Sequence, residues 1–294
     1  MSMKNKTIFH YLLLGLTGVS LMNSCKKDAA VKFGEQYKKT LYIVHSDNTE
    51  YVKEHFFENE NDTIALSVYC ASSEPISSSV TVDLVKNLKV LDSLNYINSL
   101  SDANYVPKLL LESAWYNFES GKATIDAGKQ YGVLKIPVHL KGIDVDKEYV
   151  LPISLVGNNA GYEINPKLSA LVYRPKMKNR FSGDFTGTSK VLSEKSPNSI
   201  APTVQAIDMN RVRLPIHNLE DDKDLLETNY MLLTIAEDGK GVSIQPYKNA
   251  KVFDEGESSY DPVLRQFTLN YSFMDGSTKK TVQSIIRDIA GLEE

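Results

Sequence analysis

The sequence predicts an all-β protein: an antiparallel sandwich carrying one short inserted helix, then a second small β-barrel or sandwich. Three observations carry that prediction. Apolar residues recur at every second position over short stretches through most of the chain. Glycine, asparagine and aspartate cluster between those stretches, as turns require. Past the N-terminal segment, helical spacing shows only at Leu88, Leu91 and Leu94, so Asn87 to about Leu100 is the expected helix.

In chain order, the first element is an export signal over residues 1–24. Lys4 and Lys6 precede an apolar run from Ile8 to Met22. That run is too short to span a bilayer, which takes roughly 20 apolar residues. The polar Lys26-Lys27-Asp28 follows at once. Ser24 stands directly before Cys25, which resembles the lipobox of Bacteroidetes lipoproteins, although Met22 and Asn23 depart from the common pattern. The resemblance implies a lipid on Cys25, two or three acyl chains being a stable anchor. Residues 25–36 then read as a flexible tether. The expected location is the outer membrane. Asp28 alone follows the cysteine as an acid, so surface and periplasmic faces both stay open.

Residues 37–175 form the expected sandwich. Its strands are Leu41–Val44, Ile64–Cys70, Val80–Leu84, Leu134–Leu140, Tyr149–Leu155 and Leu168–Tyr173. Pro137 and Pro152 lack an amide donor, which places their strands at edges or their nitrogens outward. Cys70 shares a face with Ile64, Leu66 and Val68, a small core residue. With Cys25 lipidated, the mature chain is expected to hold no disulfide. The basic run Arg174–Arg180 reads as a solvated connector.

The segments Val90-Leu91-Asp92-Ser93-Leu94-Asn95-Tyr96, Ala123-Thr124-Ile125-Asp126-Ala127-Gly128, Tyr149-Val150-Leu151-Pro152-Ile153 and Gly161-Tyr162-Glu163-Ile164-Asn165 occur in that order. Together they resemble the Bacteroidetes domain of unknown function 1735. That resemblance implies an immunoglobulin-like module of surface lipoproteins and a setting near polysaccharide-utilisation machinery.

Residues 181–294 are again β-patterned. Phe181 and Phe185 share a face, and Val212 and Leu214 alternate with Arg211 and Arg213. Tyr230–Ile235 is an apolar strand, and Phe267, Leu269, Tyr271 and Phe273 alternate with polar residues. Asp238-Gly239 and Asp275-Gly276 are tight turns. Ser259-Tyr260-Asp261-Pro262 and the strand from Phe267 resemble the domain of unknown function 4361, which often follows the first module.

Chemistry is sparse. The five histidines form no pair at metal-ligand spacing, and no nucleophile elbow or phosphate-cradling glycine loop occurs. No metal and no cofactor is implied. The net charge of −4 points to no nucleic acid. Asp144, Asp146 and Glu148 alternate as calcium ligands do, with no glycine among them, and read as a solvated turn. Sugars stack their apolar faces on flat rings, which makes Trp115, Tyr105, Tyr247 and Tyr260 the candidate carbohydrate contacts, the last two in expected loops. Asp62-Thr63-Ile64 and Asp92-Ser93-Leu94 match the short O-glycosylation pattern of Bacteroidetes secreted proteins at Thr63 and Ser93. The expectation is a non-catalytic envelope protein that captures polysaccharide or docks to an outer-membrane transport complex. A structural or adhesive spacer is the alternative. A glycoside hydrolase is the third reading and needs two facing carboxylates.

Overall fold

The computed structural model describes residues 37–47 and 50–292. Cys25, the signal and the tether lie outside the described residues. Twenty strands and one α-helix build two domains, each with its own core.

The first domain is a sandwich. One sheet has the order β7-β3-β1-β9, from β1 (Thr40–Ile43), β3 (Asp62–Ala71), β7 (Tyr131–Val138) and β9 (Glu163–Ile164). The other runs β2-β10-β8-β4-β6, from β2 (Tyr51–Phe56), β4 (Val80–Lys86), β6 (Ser120–Ile125), β8 (Tyr149–Asn158) and β10 (Ala170–Lys178), with the short β5 (Leu109–Leu110) beside β8. Most pairs are antiparallel, as period-two patterning between short turns suggests. Three are not: β1 with β9, β2 with β10 and β5 with β8 run parallel. The N-terminal stretch therefore serves both sheets, β1 in one and β2 in the other. Alternation puts Ile64, Leu66, Val68 and Cys70 on the inward face, all buried.

Helix α1 (Leu88–Ser101) begins where the spacing of its leucines predicts. Asn87 caps it, its side-chain oxygen accepting from Lys89 N at 3.2 Å. Leu91 buries against Val150 and Val172 on the outer face of the second sheet. Strand β8 is consequently covered on both sides, so its residues are buried from Tyr149 through Leu155. Pro137 lies on edge strand β7, as expected. Pro152 does not: it lies on the central β8. Its carbonyl accepts from Asn87 N at 3.0 Å, and the Asn87 carbonyl has already turned into the helix, accepting from Val90 N. In an antiparallel ladder the nitrogen and oxygen of a residue point to the same neighbour. The missing donor of Pro152 therefore faces a strand that has just ended.

The connector expectation is corrected. Arg174 through Lys178 belong to β10 and pair in register with Val52 to Phe56. Their charges are met by acids of β2 and its approach: Arg174 by Glu50, Lys176 and Lys178 by Glu54. Asn179 is buried and donates from Nδ2 to the carbonyls of Asp208 and Arg211, which pins the start of the second domain.

The second domain is one ten-stranded sheet, curled until it nearly closes. Its path starts at β16 (Val242–Pro246) and passes through β15 (Tyr230–Ile235), β14 (Arg211–Pro215), β13 (Thr203–Ala206) and β11 (Gly183–Val191). It continues through β20 (Thr278–Asp288) and β19 (Gln266–Asp275) to β17 (Val252–Asp254), with β12 (Asn198–Ile200) beside β11 and β18 (Ser259–Asp261) beside β19. Val242 N donates to Ser258 O at 3.1 Å and Tyr260 N to Lys240 O at 2.7 Å, drawing the two ends together. Of the two architectures expected here, a nearly closed barrel forms. Phe185, Phe267, Leu269 and Tyr271 fill it.

Gly132 marks a close backbone approach, and Gly157 does not. A Cβ on Gly132 would lie 2.2 Å from the Thr124 carbonyl oxygen, where β6 and β7 cross between sheets; at Gly157 the nearest atom would be an ordinary 3.5 Å away. Gly132→Ala is therefore expected to cost about 3 kcal/mol through forced backbone displacement, and Gly157→Ala to stay within about 0.5 kcal/mol of wild type. Urea unfolding of both variants checks this; equal stabilities would contradict the close approach.

Candidate functional site at the domain junction

The turn from Ile143 to Glu148 enters the junction with Ile143 buried in the sandwich core. Asp144 caps the turn itself, its side chain accepting from Asp146 N at 3.1 Å. The next two alternating acids then face the second domain. This corrects the solvated-turn reading: Asp146 and Glu148 are received by that domain's cations, and among the described residues no cluster of metal-ligating side chains forms.

Asp146 Oδ2 accepts from Tyr247 Oη at 2.7 Å and lies 3.2 Å from Lys248 Nζ. Its Oδ1 lies 3.4 Å from Arg213 Nη1. Glu148 joins Lys108 at 2.5 Å and also Lys223. Lys248 sits in the left-handed region at φ 53°, a conformation uncommon for a residue with a Cβ.

Arg213 reaches this point because β14 alternates. Val212 and Leu214 point into the barrel, and Arg213 points out, where the first domain covers it. It is only 8% exposed. The rings of Tyr230 and Tyr247 each lie 5.3 Å from its guanidinium carbon. Its Nε and Nη1, and Asp146 Oδ1, are buried without a hydrogen-bond partner.

A groove of about 390 Å³ opens beside this cluster, lined by Asp146, Glu148, Arg174, Lys176, Arg213 and Lys223 among others. A second groove of the same size lies across the Lys176-Met177 segment and is lined by Lys178, Asp184, Arg265 and Asp288. Gln205 stands between them, donating to Met177 O at 3.3 Å. In the second groove Arg265 already pairs with the buried Asp288, which also accepts from Ala290 N. Both grooves hold a buried guanidinium nitrogen without a hydrogen-bond partner, Arg265 Nε in the second and Arg213 Nε and Nη1 in the first; the Arg213 groove alone sets an unmatched carboxylate oxygen, Asp146 Oδ1, beside them.

The expected carbohydrate contacts do not converge. Trp115 is half-buried and edge-on to Tyr149 at 5.0 Å, while its neighbours Tyr116 and Phe118 point into the core as alternation requires. Tyr105 is half-buried, its hydroxyl donating to Asn95 Oδ1 at 2.8 Å under helix α1. Tyr260 corrects the loop expectation: it lies on β18 inside the barrel, packed on Phe181 and Phe267. Tyr247 alone reaches the junction, as a partner of Asp146 and Arg213. Thr63 is half-buried at the start of β3, and Ser93 is exposed on α1. Arg213 was not singled out from the sequence. Its outward position in an alternating strand carries no sign of which outward face meets another domain.

Two histidine networks resemble catalytic arrangements. Asn198 Nδ2 donates to His217 Nε2 at 3.1 Å, so Nδ1 carries the hydrogen and donates to Ser189 Oγ at 2.7 Å. A nucleophile needs the opposite direction of donation. Ser189 is also 0% exposed. His55, equally buried, bridges Asp62 at 2.8 Å and the Tyr173 hydroxyl inside the sandwich. Burial pulls both histidines below their usual range, which keeps them neutral in these cores.

Two family models match in tandem. One, described as an N-terminal domain, covers residues 37–161; the other, described as a C-terminal domain, covers 169–287 and so begins one strand before the second core does. No curated protein matches the chain. Among solved structures, a multidomain protein including domain of unknown function 1735 from Bacteroides ovatus aligns at 18% identity and TM-score 0.59, over 86% of this chain and 93% of that one. A Bacteroides ovatus protein of unknown function aligns at 17% identity and TM-score 0.59, over 81% and 87%. An auxiliary nutrient binding protein from Bacteroides thetaiotaomicron aligns at 18% identity and TM-score 0.57, over 82% and 91%. At these identities the likeness is one of fold. The chain is a two-domain β-protein whose fold is like that of these Bacteroides proteins. Its halves carry, in order, the N-terminal and C-terminal domains that the two models describe.

Burial pushes the Glu148 carboxyl up, but hydrogen bonds from Lys108 and Lys223 outweigh it and hold the group at about 2, below its ordinary 4.5. The folded value lies below the unfolded one, so this contribution is complete above about pH 4.5 and disappears as pH falls toward about 2. Glu148→Gln should remove about 1 kcal/mol at pH 7, a third of the side chain remaining exposed to screening. The variant should also flatten the wild type's loss of stability across that window. Urea titrations at pH 7, 4.5 and 3 measure both; parallel curves would refute the ion-pair assignment.

Proposed function

We propose that this protein is a non-catalytic, lipid-anchored binding protein of the cell envelope that captures glycan in the Arg213 groove. The observation that carries the reading is the arrangement of Arg213 with Asp146: an almost buried guanidinium braced by two tyrosine rings beside a carboxylate oxygen that lacks a donor. Sugar hydroxyls both donate and accept, so vicinal hydroxyls complement the open edge of the Arg213 fork and the carboxylates and ammonium groups that line the groove beside it. The groove's volume lies within the 300–1,000 Å³ range common to small-ligand sites. The fold likeness to an auxiliary nutrient binding protein supports the reading by association only. The reversed hydrogen bond at Ser189 supports the non-catalytic part. Lipidation at Cys25 rests on the lipobox-like Ser24-Cys25; palmitate incorporation lost in Cys25→Ala is the expected result, and labelling that survives would refute it.

Docking to a transport partner is the second reading. It is favoured by the solvent face of α1, where Tyr96, Ile97 and Leu100 are strongly exposed.

A glycan array followed by isothermal titration of the full chain tests glycan capture. Binding to at least one polysaccharide is expected, with a loss of about tenfold in Tyr247→Ala, which unbraces Arg213 and strips Asp146 of a donor. Silence across plant and host glycans would sink the proposal.

A further inference from the structure

We infer that the ligand of the Arg213 groove is an acidic glycan, one whose residues carry carboxylate or sulfate groups. The inference rests on the glycan-capture reading and adds the chemical class.

The first observation is the state of Arg213. Nε and Nη1 are sealed without partners. Among the described residues Arg213 forms no hydrogen bond through Nη2, yet it lines the groove. The edge of the fork carrying Nη2 is therefore the part of a buried cation left open to a ligand. A planar guanidinium held between rings has little freedom left to lose, and its fork matches carboxylate and sulfate oxygens in pairs.

The second observation is the balance of charge on the walls. Lys147, Arg174, Lys176, Arg213 and Lys223 line the groove against Asp144, Asp146 and Glu148. Two of those carboxylates hold a further cation from outside the groove, Asp146 having Lys248 at 3.2 Å and Glu148 having Lys108 at 2.5 Å, while Asp144 pairs with Lys147 of the wall itself at 3.2 Å. Lys176, with its nearest acid Glu54 at 3.6 Å, is held only loosely. Five cations against three acids leave the walls with a local excess of positive charge, although Arg174 and Lys176 are also met from outside the groove by Glu50 and Glu54, and like-charge repulsion from the carboxylates is muted by their own partners.

The third observation concerns what the groove lacks. Neutral pyranoses are held largely by apolar faces on open rings. Tyr247 has Arg213 at 5.3 Å and Lys248 at 5.8 Å from its ring centre, Trp115 stands edge-on over Tyr149, and Tyr260 is inside the barrel. With the rings engaged by the protein itself, the groove offers a ligand charge and hydrogen-bond donors more than stacking.

Titration calorimetry of the full chain with three hexasaccharides tests this: one of galacturonic acid, one of sulfated galactose and one of neutral galactose. At least one acidic probe should bind ten times tighter than the neutral one, and that preference should shrink as salt rises from 50 to 500 mM. The two acidic arms separate carboxylate from sulfate recognition. Arg213→Gln should lose at least tenfold toward the acidic probe, with Lys129→Gln, on a distant exposed turn, as the matched charge control. If Arg213→Gln does not fold by circular dichroism, the exposed double variant Lys176→Gln/Lys223→Gln carries the test, with a loss of about fivefold or more expected. Equal binding of neutral and acidic probes would overturn the acidic class and leave glycan capture standing. Acid binding unchanged in the folded groove variants would overturn the site. Silence toward all three probes together with silence on the glycan array would remove both readings.

Discussion

The arrangement of the two domains depends on where Asp146 places its carboxylate. It comes from a turn of the sandwich and meets Arg213, Lys248 and Tyr247 of the barrel. An ion this deep is tolerable only if its oxygens are matched, because removing a charge from water is costly unless partners replace the water. Oδ2 is matched well and Oδ1 is not. At Asp146 the junction is thus held by one good hydrogen bond, one salt bridge and one contact at 3.4 Å that is close in charge but loose in geometry, with the Glu148–Lys223 pair beside it. Interfaces within a chain that rest on polar contacts permit relative domain motion.

Around that point the two cores are conventional. Each fills with alternating apolar residues, and each hides a histidine network that could be mistaken for chemistry. The direction of the hydrogen bonds decides against that at His217, where the amide of Asn198 determines which nitrogen holds the hydrogen. A sequence reading sees only a serine and a histidine. The donor that reverses their relation sits on β12, nineteen residues away from the histidine.

Much of the architecture was legible in the chain. The alternation at Ile64–Cys70 and Phe267–Phe273 and the leucine spacing at Leu88–Leu94 each report a local period, and the local period is what determines the element. The failures share a cause. Strand β2 carries Lys53 and Glu54, so it does not read as a strand; it exists because β10 offers it a parallel partner more than a hundred residues on. Arg174–Arg180 looked like a connector for the same reason, since its charges are balanced by β2 and not by anything nearby in sequence. Tyr260 looked like a loop residue because its strand is three residues long and is completed by β19. Arg213 was read on the correct face, but the burial of that face comes from the other domain. Sequence reports the period of an element well and its partners poorly, and the candidate site is made almost entirely of partnerships.

The parallel pairing of β2 with β10 also bears on mechanics. The chain reaches β2 by way of β1, and the barrel follows from the far end of β10. A pull between the start of β2 and the barrel would draw these parallel strands past each other along their length. The load then falls on the whole ladder from Tyr51–Tyr173 to Phe56–Lys178 together, in shear, instead of opening one pair at a time. Resistance to such a pull is set by the unfolding rate and not by equilibrium stability. The β2–β10 ladder would therefore act as a tensile fastening between the sandwich and the barrel.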